Sequence, residues 1–143
     1  MTTPSALVDT ILATINAAVA DVDTVSSSDF TPAIGTAGIA ALSPAFELET
    51  SVVWATMTEY VMTHRVPIEF WVKHDGKPAM TMQRARDIGA AAIEALVASD
   101  GTGYELELDV PVTFSVDPAM TTVNSVAWLV ATMFVSVREP VTA

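Results

Sequence analysis

From Tyr104 to Val116 apolar and polar residues alternate without a break. Leu106, Leu108, Val110, Val112, Phe114 and Val116 fall on one side; Glu105, Glu107, Asp109, Pro111, Thr113 and Ser115 fall on the other. Successive side chains of a strand point to opposite sides, so the run is read as one long β-strand with a buried face and a wet face. Its expected partner, Val123 to Arg138, is different. Ala127, Leu129, Ala131, Met133, Val135 and Val137 make one apolar row, and Val126, Trp128, Val130 and Phe134 make a second. A strand apolar on both sides is covered on both sides. In so short a chain the second cover is expected to be another copy.

The remaining elements fit around that pair. Thr3-Pro4 is a helix start, and Leu7, Val8, Ile11, Leu12, Ile15, Val19 and Val22 form one stripe, which predicts a helix from about Pro4 to Val22. The Ser26 to Asp29 cluster closes it. Phe30 to Phe46 carries no charge and reads as a long loop with a short strand near Ile34, or as an arm packed on a neighbour. Phe46 to Met62 reads as a strand, and so does Arg65 to Lys73, where Pro67 suggests an edge position or a strand start. His74 to Lys77 is a turn. Pro78 opens a second helix running to about Ser99, and Asp100-Gly101-Thr102-Gly103 stops it. Regular structure is expected to end at Glu139-Pro140. The sum is one α+β domain spanning 1–143. It has a small antiparallel sheet, two helices packed on one face, the order α-β-β-α-β-β, and a long loop near 23–46.

Composition narrows function by exclusion. Seventeen acidic residues against six Lys plus Arg give a net charge of −11, so no basic stripe is available for phosphates and no nucleic-acid recognition is expected. An anionic membrane surface is disfavoured on the same ground. Charged residues are only 16% of the chain, hydrophobic ones 51%, and mean hydropathy is +0.46. A monomer of this mass exposes on the order of 7,000 Å². So few charges cover that area sparsely, which favours burial between subunits. With no cysteine there is no disulfide, thiolate metal site or cysteine nucleophile. The uncharged stretch Pro118 to Val137 has membrane-spanning length, but only about a dozen of its residues are strongly apolar, which fits a core element better than a span.

Candidate chemistry is sparse. His64 and His74 flank one predicted strand without metal-ligand spacing, and His74-Asp75 in a turn reads as solvated. Gly35 and Gly38, like Gly101 and Gly103, make neither a phosphate loop nor a dinucleotide fingerprint. Glu105, Glu107 and Asp109 place three carboxylates on one strand face. Such a row suits a divalent cation, or basic groups such as Lys73, Lys77, Arg84 and Arg86. Trp54 and Trp71 are read as core residues, with an interface role open to Trp71 in the row of Glu69. No catalytic, cofactor-binding or metal-binding residue is assigned, and no cofactor is expected.

Taken together, the N-terminal amphipathic helix, the stretch HRVPIEFWVKH, the central helix, and then ELELDVPVTFSVDP and AWLVATMFVSVREPV resemble the tail terminator (tail-completion) proteins of long-tailed bacteriophages. That resemblance implies a non-enzymatic structural virion protein, assembled in the host cytoplasm, that forms a homohexameric ring. The ring would cap the tail tube and help join the tail to the head connector. Its implied partners are further copies of itself, the tail tube protein and a head-tail connector or head-closure protein. Two alternatives stay open: another neck protein of the head-tail interface, or an oligomeric small-ligand-binding or enzymatic α+β domain.

Overall fold

The computed structural model of the chain describes residues 4–19, 22–26, 38–43, 48–107 and 110–142. Helix α1 (Pro4–Ala18) is followed by strands β1 (Val22–Ser26), β2 (Ile39–Leu42), β3 (Glu49–Trp54) and β4 (Glu59–Lys73). Then come α2 (Pro78–Ala98), β5 (Thr113–Val116), β6 (Thr121–Val123) and β7 (Val126–Thr142). The α+β class is as expected, but the order α-β-β-α-β-β is not. Among the described residues four strands, not two, precede α2, and three follow it.

Two long strands form the spine of the sheet. β4 and β7 pair antiparallel from Glu59↔Thr142 to Lys73↔Trp128. On the outer side of β4, β3 pairs with 60–65 and β2 with 69–72, and β1 adds to β2 in a parallel pairing. On the outer side of β7 lie β5 and β6. Pro67 is therefore neither at an edge nor at a strand start. It falls where the β3 ladder has ended at Arg65 and the β2 ladder has not begun at Glu69, so its missing N–H leaves no gap there.

The strand parity places the helices on one face. His64, Val66, Ile68, Phe70 and Val72 of β4 lie beside Val137, Val135, Met133, Ala131 and Leu129 of β7, with Ile39 and Ala41 of β2 on the same side. Apart from His64, these residues share one core with Leu7, Val8, Ile11, Leu12 and Ile15 of α1 and Ala85, Ile88, Ala92 and Leu96 of α2. The helix stripe and the sheet row thus bury each other.

α1 stops at Ala18, four residues short of the expected Val22, which instead begins β1 while still packing against the core. An apolar period alone does not separate the last turn of a helix from the first residue of a strand. The expected long loop near 23–46 contains β1 and β2; Ile34 and the rest of 27–37 lie outside the described residues. Within the expected strand Phe46 to Met62, the described residues form a hairpin of β3 and the start of β4, broken at 55–58; Phe46 and Glu47 lie outside the described residues. β7 runs on to Thr142 rather than ending at Glu139-Pro140.

The alternating run is the largest correction. Among its described residues only Thr113–Val116 forms a strand, with an isolated bridge from Leu106 to Val137. Pairing runs Thr113↔Phe134 but Leu106↔Val137, so the run carries four more residues than β7 between those points. Four is even, and parity survives the excursion: Leu106, Val112, Phe114 and Val116 all pack on the helix-side core. Alternation therefore reported the face of Leu106, Val112, Phe114 and Val116 correctly and the continuity of the strand incorrectly. Val110, expected on the same side, is exposed instead, and Leu108 and Asp109 lie outside the described residues.

α2 is closed at both ends by side chains. Asp75 Oδ1 accepts from the Lys77 N–H at 3.1 Å and from the Thr81 hydroxyl at 3.3 Å, bracing the turn that starts the helix. At the other end the Ser99 N–H reaches the Ala95 carbonyl and the Asp100 N–H reaches the Val97 carbonyl. The Tyr104 hydroxyl donates to the Leu96 carbonyl between them. Gly101 and Gly103, at φ of 89° and 87°, make the stop that the sequence predicts.

Candidate interaction surface

The helical layer covers only part of the sheet. The main core reaches Val66 on β4 and Val137 on β7, with His64 wholly buried beside them. Beyond that line β3, the start of β4 and the end of β7 continue as a three-stranded arm, with the β4 segment 59–63 extending roughly 17 Å at strand rise.

The arm exposes what the core would normally hide. All six residues of β3 are exposed. Val52 is 46% exposed, Val53 65%, Trp54 59% and Met57, at the tip, 96%. The Trp54 ring leans on Tyr60 across the hairpin, with centroids 4.7 Å apart. The tip is held by its own polar groups. Ala55 and Thr56 donate backbone N–H bonds to the Glu59 carbonyl, and the Thr56 hydroxyl accepts from the N–H groups of Thr58 and Glu59. Residues 50–58 (TSVVWATMT) contain no charge, in a chain whose net charge is −11.

At the arm's base three strands meet on one buried imidazole. His64 Nδ1 is 2.9 Å from the Thr50 hydroxyl on β3, and its Nε2 faces the Glu139 carboxylate on β7 at 3.6 Å. That Nε2 has no hydrogen-bond partner within reach. His64 is thus a core residue tying the arm together, and it lies inside β4 rather than flanking it.

The face opposite the helices is divided. At one end Ala40, Leu42, Trp71 and Trp128 form a second buried cluster, with Val123, Val126 and Val130 packed around it. The two indoles meet edge to face at 6.4 Å, and Trp71 Nε1–H donates to Glu69. The expected wet face is therefore dry at this end, and Trp71 is an internal anchor. Trp54, read as core, is the exposed tryptophan. Toward the arm the same face carries a hollow of about 370 Å³, floored by Val61, Thr63 and Arg138 and flanked by Ser51 and Val53 on one side and Glu107 and Val110 on the other.

The acidic row does not converge. Glu105 pairs with Arg138 at 3.8 Å, and Glu107 accepts from the Thr63 hydroxyl at 3.4 Å; Asp109 lies outside the described residues. The cation beside Glu105 is on β7, outside the Lys73 to Arg86 group suggested by sequence proximity. Among the described residues no three His, Asp or Glu side chains are placed to hold a metal ion. His74 shares Thr81 with Asp75, its Nδ1 3.2 Å from that hydroxyl, so this pair braces the start of α2. No described helix is long and apolar enough to cross a membrane.

The chain matches no protein-family model and no curated protein sequence.

Proposed function

We propose that the chain is a structural subunit working through assembly: a ring-forming tail terminator that caps a phage tail tube and offers its other side to the head connector. The observation that carries this reading is the arm. A pre-ordered, uncharged hairpin exposing Val52, Val53, Trp54 and Met57 is costly for a monomer to keep in water and suits an interface core. The sparse charge and the sequence resemblance point the same way. Ring closure needs heterologous contacts, and two unlike ring faces then serve two partners. Homohexameric assembly, the virion location, and the tail tube and connector partners belong to this proposal.

Mass photometry of the purified chain tests it, with negative-stain microscopy of the same sample. An annular particle at six times the 15.1 kDa chain mass is expected. A monomer at every concentration, or an open fibre, defeats the reading.

A second reading has one observation of its own. Arg138 Nε is buried without a hydrogen-bond partner at the floor of the hollow, where a small acidic ligand would supply an acceptor. Glu105 and Glu107 beside it oppose an anion, which places this reading second.

A further inference from the structure

Building on the ring reading, we infer that the contact closing the ring is a strand pairing: β3 of one copy adds to β5 of the next. On the β4 side the sheet ends on β3 at the arm and on β1 further along; on the β7 side it ends on β5 and β6. β3 has a ladder neighbour on its β4 side, and β5 has one on its β7 side, with no further strand beyond either among the described residues. Such edges invite pairing, and proteins ordinarily blunt them with lysine, proline, a bulge or inward charge. Here β3 reads ETSVVW and β5 reads TFSV, with neither lysine nor proline in either. The uncharged stretches extend over 50–58 and 110–116.

Direction and facing agree as well. β3 and β7 each run antiparallel to β4, and β5 runs antiparallel to β7, so β3 and β5 point in opposite directions within one copy. β3 lies level with 60–65 of β4, and β5, through β7, with 67–70. Setting a second copy beside the first with its helices on the same face, shifted along the strands by about six residues, roughly 20 Å at strand rise, therefore brings β3 and β5 together antiparallel. The same placement aligns like with like. Val52 and Trp54 lie on the helix-side row, as do Phe114 and Val116. Val53 and Ser51 share the opposite row with Thr113 and Ser115. The occupant is a second copy because both halves of the contact are on this chain and both are neutral. Two bodies of charge −11 repel over most of their surface, and these edges are where they meet without that penalty. The two halves are different patches, so the contact is heterologous and propagates until it closes.

Two double variants at exposed positions test this: Val52→Lys/Val53→Lys on β3 and Thr113→Lys/Ser115→Lys on β5. Each alone is expected to fall from ring mass to a single copy in mass photometry while keeping the wild-type circular dichroism spectrum. Mixed in equal amounts, they retain one intact β3–β5 pair between them, so the mixture is expected to form a dimer and stop there. If the β3 variant loses its folded spectrum, Trp54→Glu/Met57→Glu at the tip replaces it. Rings persisting in either variant overturn the strand pairing while leaving the ring reading intact. A β5 variant that remains dimeric alone indicates a two-fold β3–β3 contact and also overturns it. A wild-type chain that is monomeric throughout removes both.

Discussion

His64 Nδ1 sits 2.9 Å from the hydroxyl of Thr50, joining a fully buried imidazole to a residue on an exposed strand. Thr50 therefore matters more than its exposure suggests. Thr50→Val keeps strand propensity and volume but strands the ring nitrogen in a site closed to water. Loss of a partner for a buried polar group costs about 1–3 kcal/mol. Urea unfolding at concentrations where the chain is monomeric should show that loss, whereas Ser51→Ala next to it should change stability by less than about 0.5 kcal/mol. Equal effects from the two substitutions would remove Thr50 from the arm's support.

Gly89 on α2 lies against the Phe114 ring, and a methyl group there would stand 2.3 Å from Phe114 Cζ. Alanine is ordinarily favoured in a helix interior over glycine by about 1 kcal/mol. Here the added carbon displaces Phe114, and overpacking of this kind costs about 1–3 kcal/mol. Gly89→Ala should therefore fail to stabilise and should loosen β5, seen as faster amide exchange over 113–116. The double variant Gly89→Ala/Phe114→Leu should recover stability relative to Gly89→Ala alone. Additive effects in that cycle would show that the two positions do not touch.

Tyr104 titrates above the ordinary tyrosine range, because burial disfavours its phenolate and the Asp100 carboxylate repels it; a bond with Ser99 opposes both weakly. The folded state holds this proton longer than the unfolded chain. Stability is thus unaffected well below pH 10 and falls as pH rises through 10 toward the folded value. Ionisation also removes the donor that closes the Leu96 carbonyl. Tyr104→Phe should lower stability at neutral pH by about 1 kcal/mol and flatten the alkaline decline. A decline of the same slope in both proteins, followed by urea titration from pH 8 to 11, would assign it elsewhere.

The parts of this fold legible in the sequence are those written in periodicity. The stripe from Leu7 to Val19 and the row from Leu129 to Val137 appear in the core as read, and α2 begins at Pro78 as its proline predicts. What periodicity does not carry is interruption. Nothing in the alternation from Leu106 to Val116 marks the four surplus residues, since an even excursion leaves the pattern intact. The arm was hidden for a related reason. TSVVWATMT has the β-branched and aromatic content of a buried strand, and only the tertiary placement beyond the helical layer makes Trp54 exposed and Trp71 buried. Its signal was the lack of charge over nine consecutive residues containing three threonines and a tryptophan.

The second apolar row of β7 offers a test in which two similar substitutions should diverge. Phe134 is half-buried under the Arg65 guanidinium, whose carbon stands 3.7 Å from the ring centroid. Val130 packs instead against the Trp71 and Trp128 cluster, opposite Trp71 and diagonal to Glu69, which pairs with Thr132. An aspartate at 134 meets a cation already in place, so Phe134→Asp loses packing but not charge balance and should fold, at a cost of about 1–3 kcal/mol. An aspartate at 130 enters an apolar cluster with a carboxylate as its near neighbour, so Val130→Asp should cost about 3 kcal/mol or more. Arg65→Ala separates the causes: combined with Phe134→Asp it should add a penalty well beyond its own. Thermal unfolding of the four proteins measures this, and equal losses at 130 and 134 would mean that Arg65 gives no charge compensation on this face.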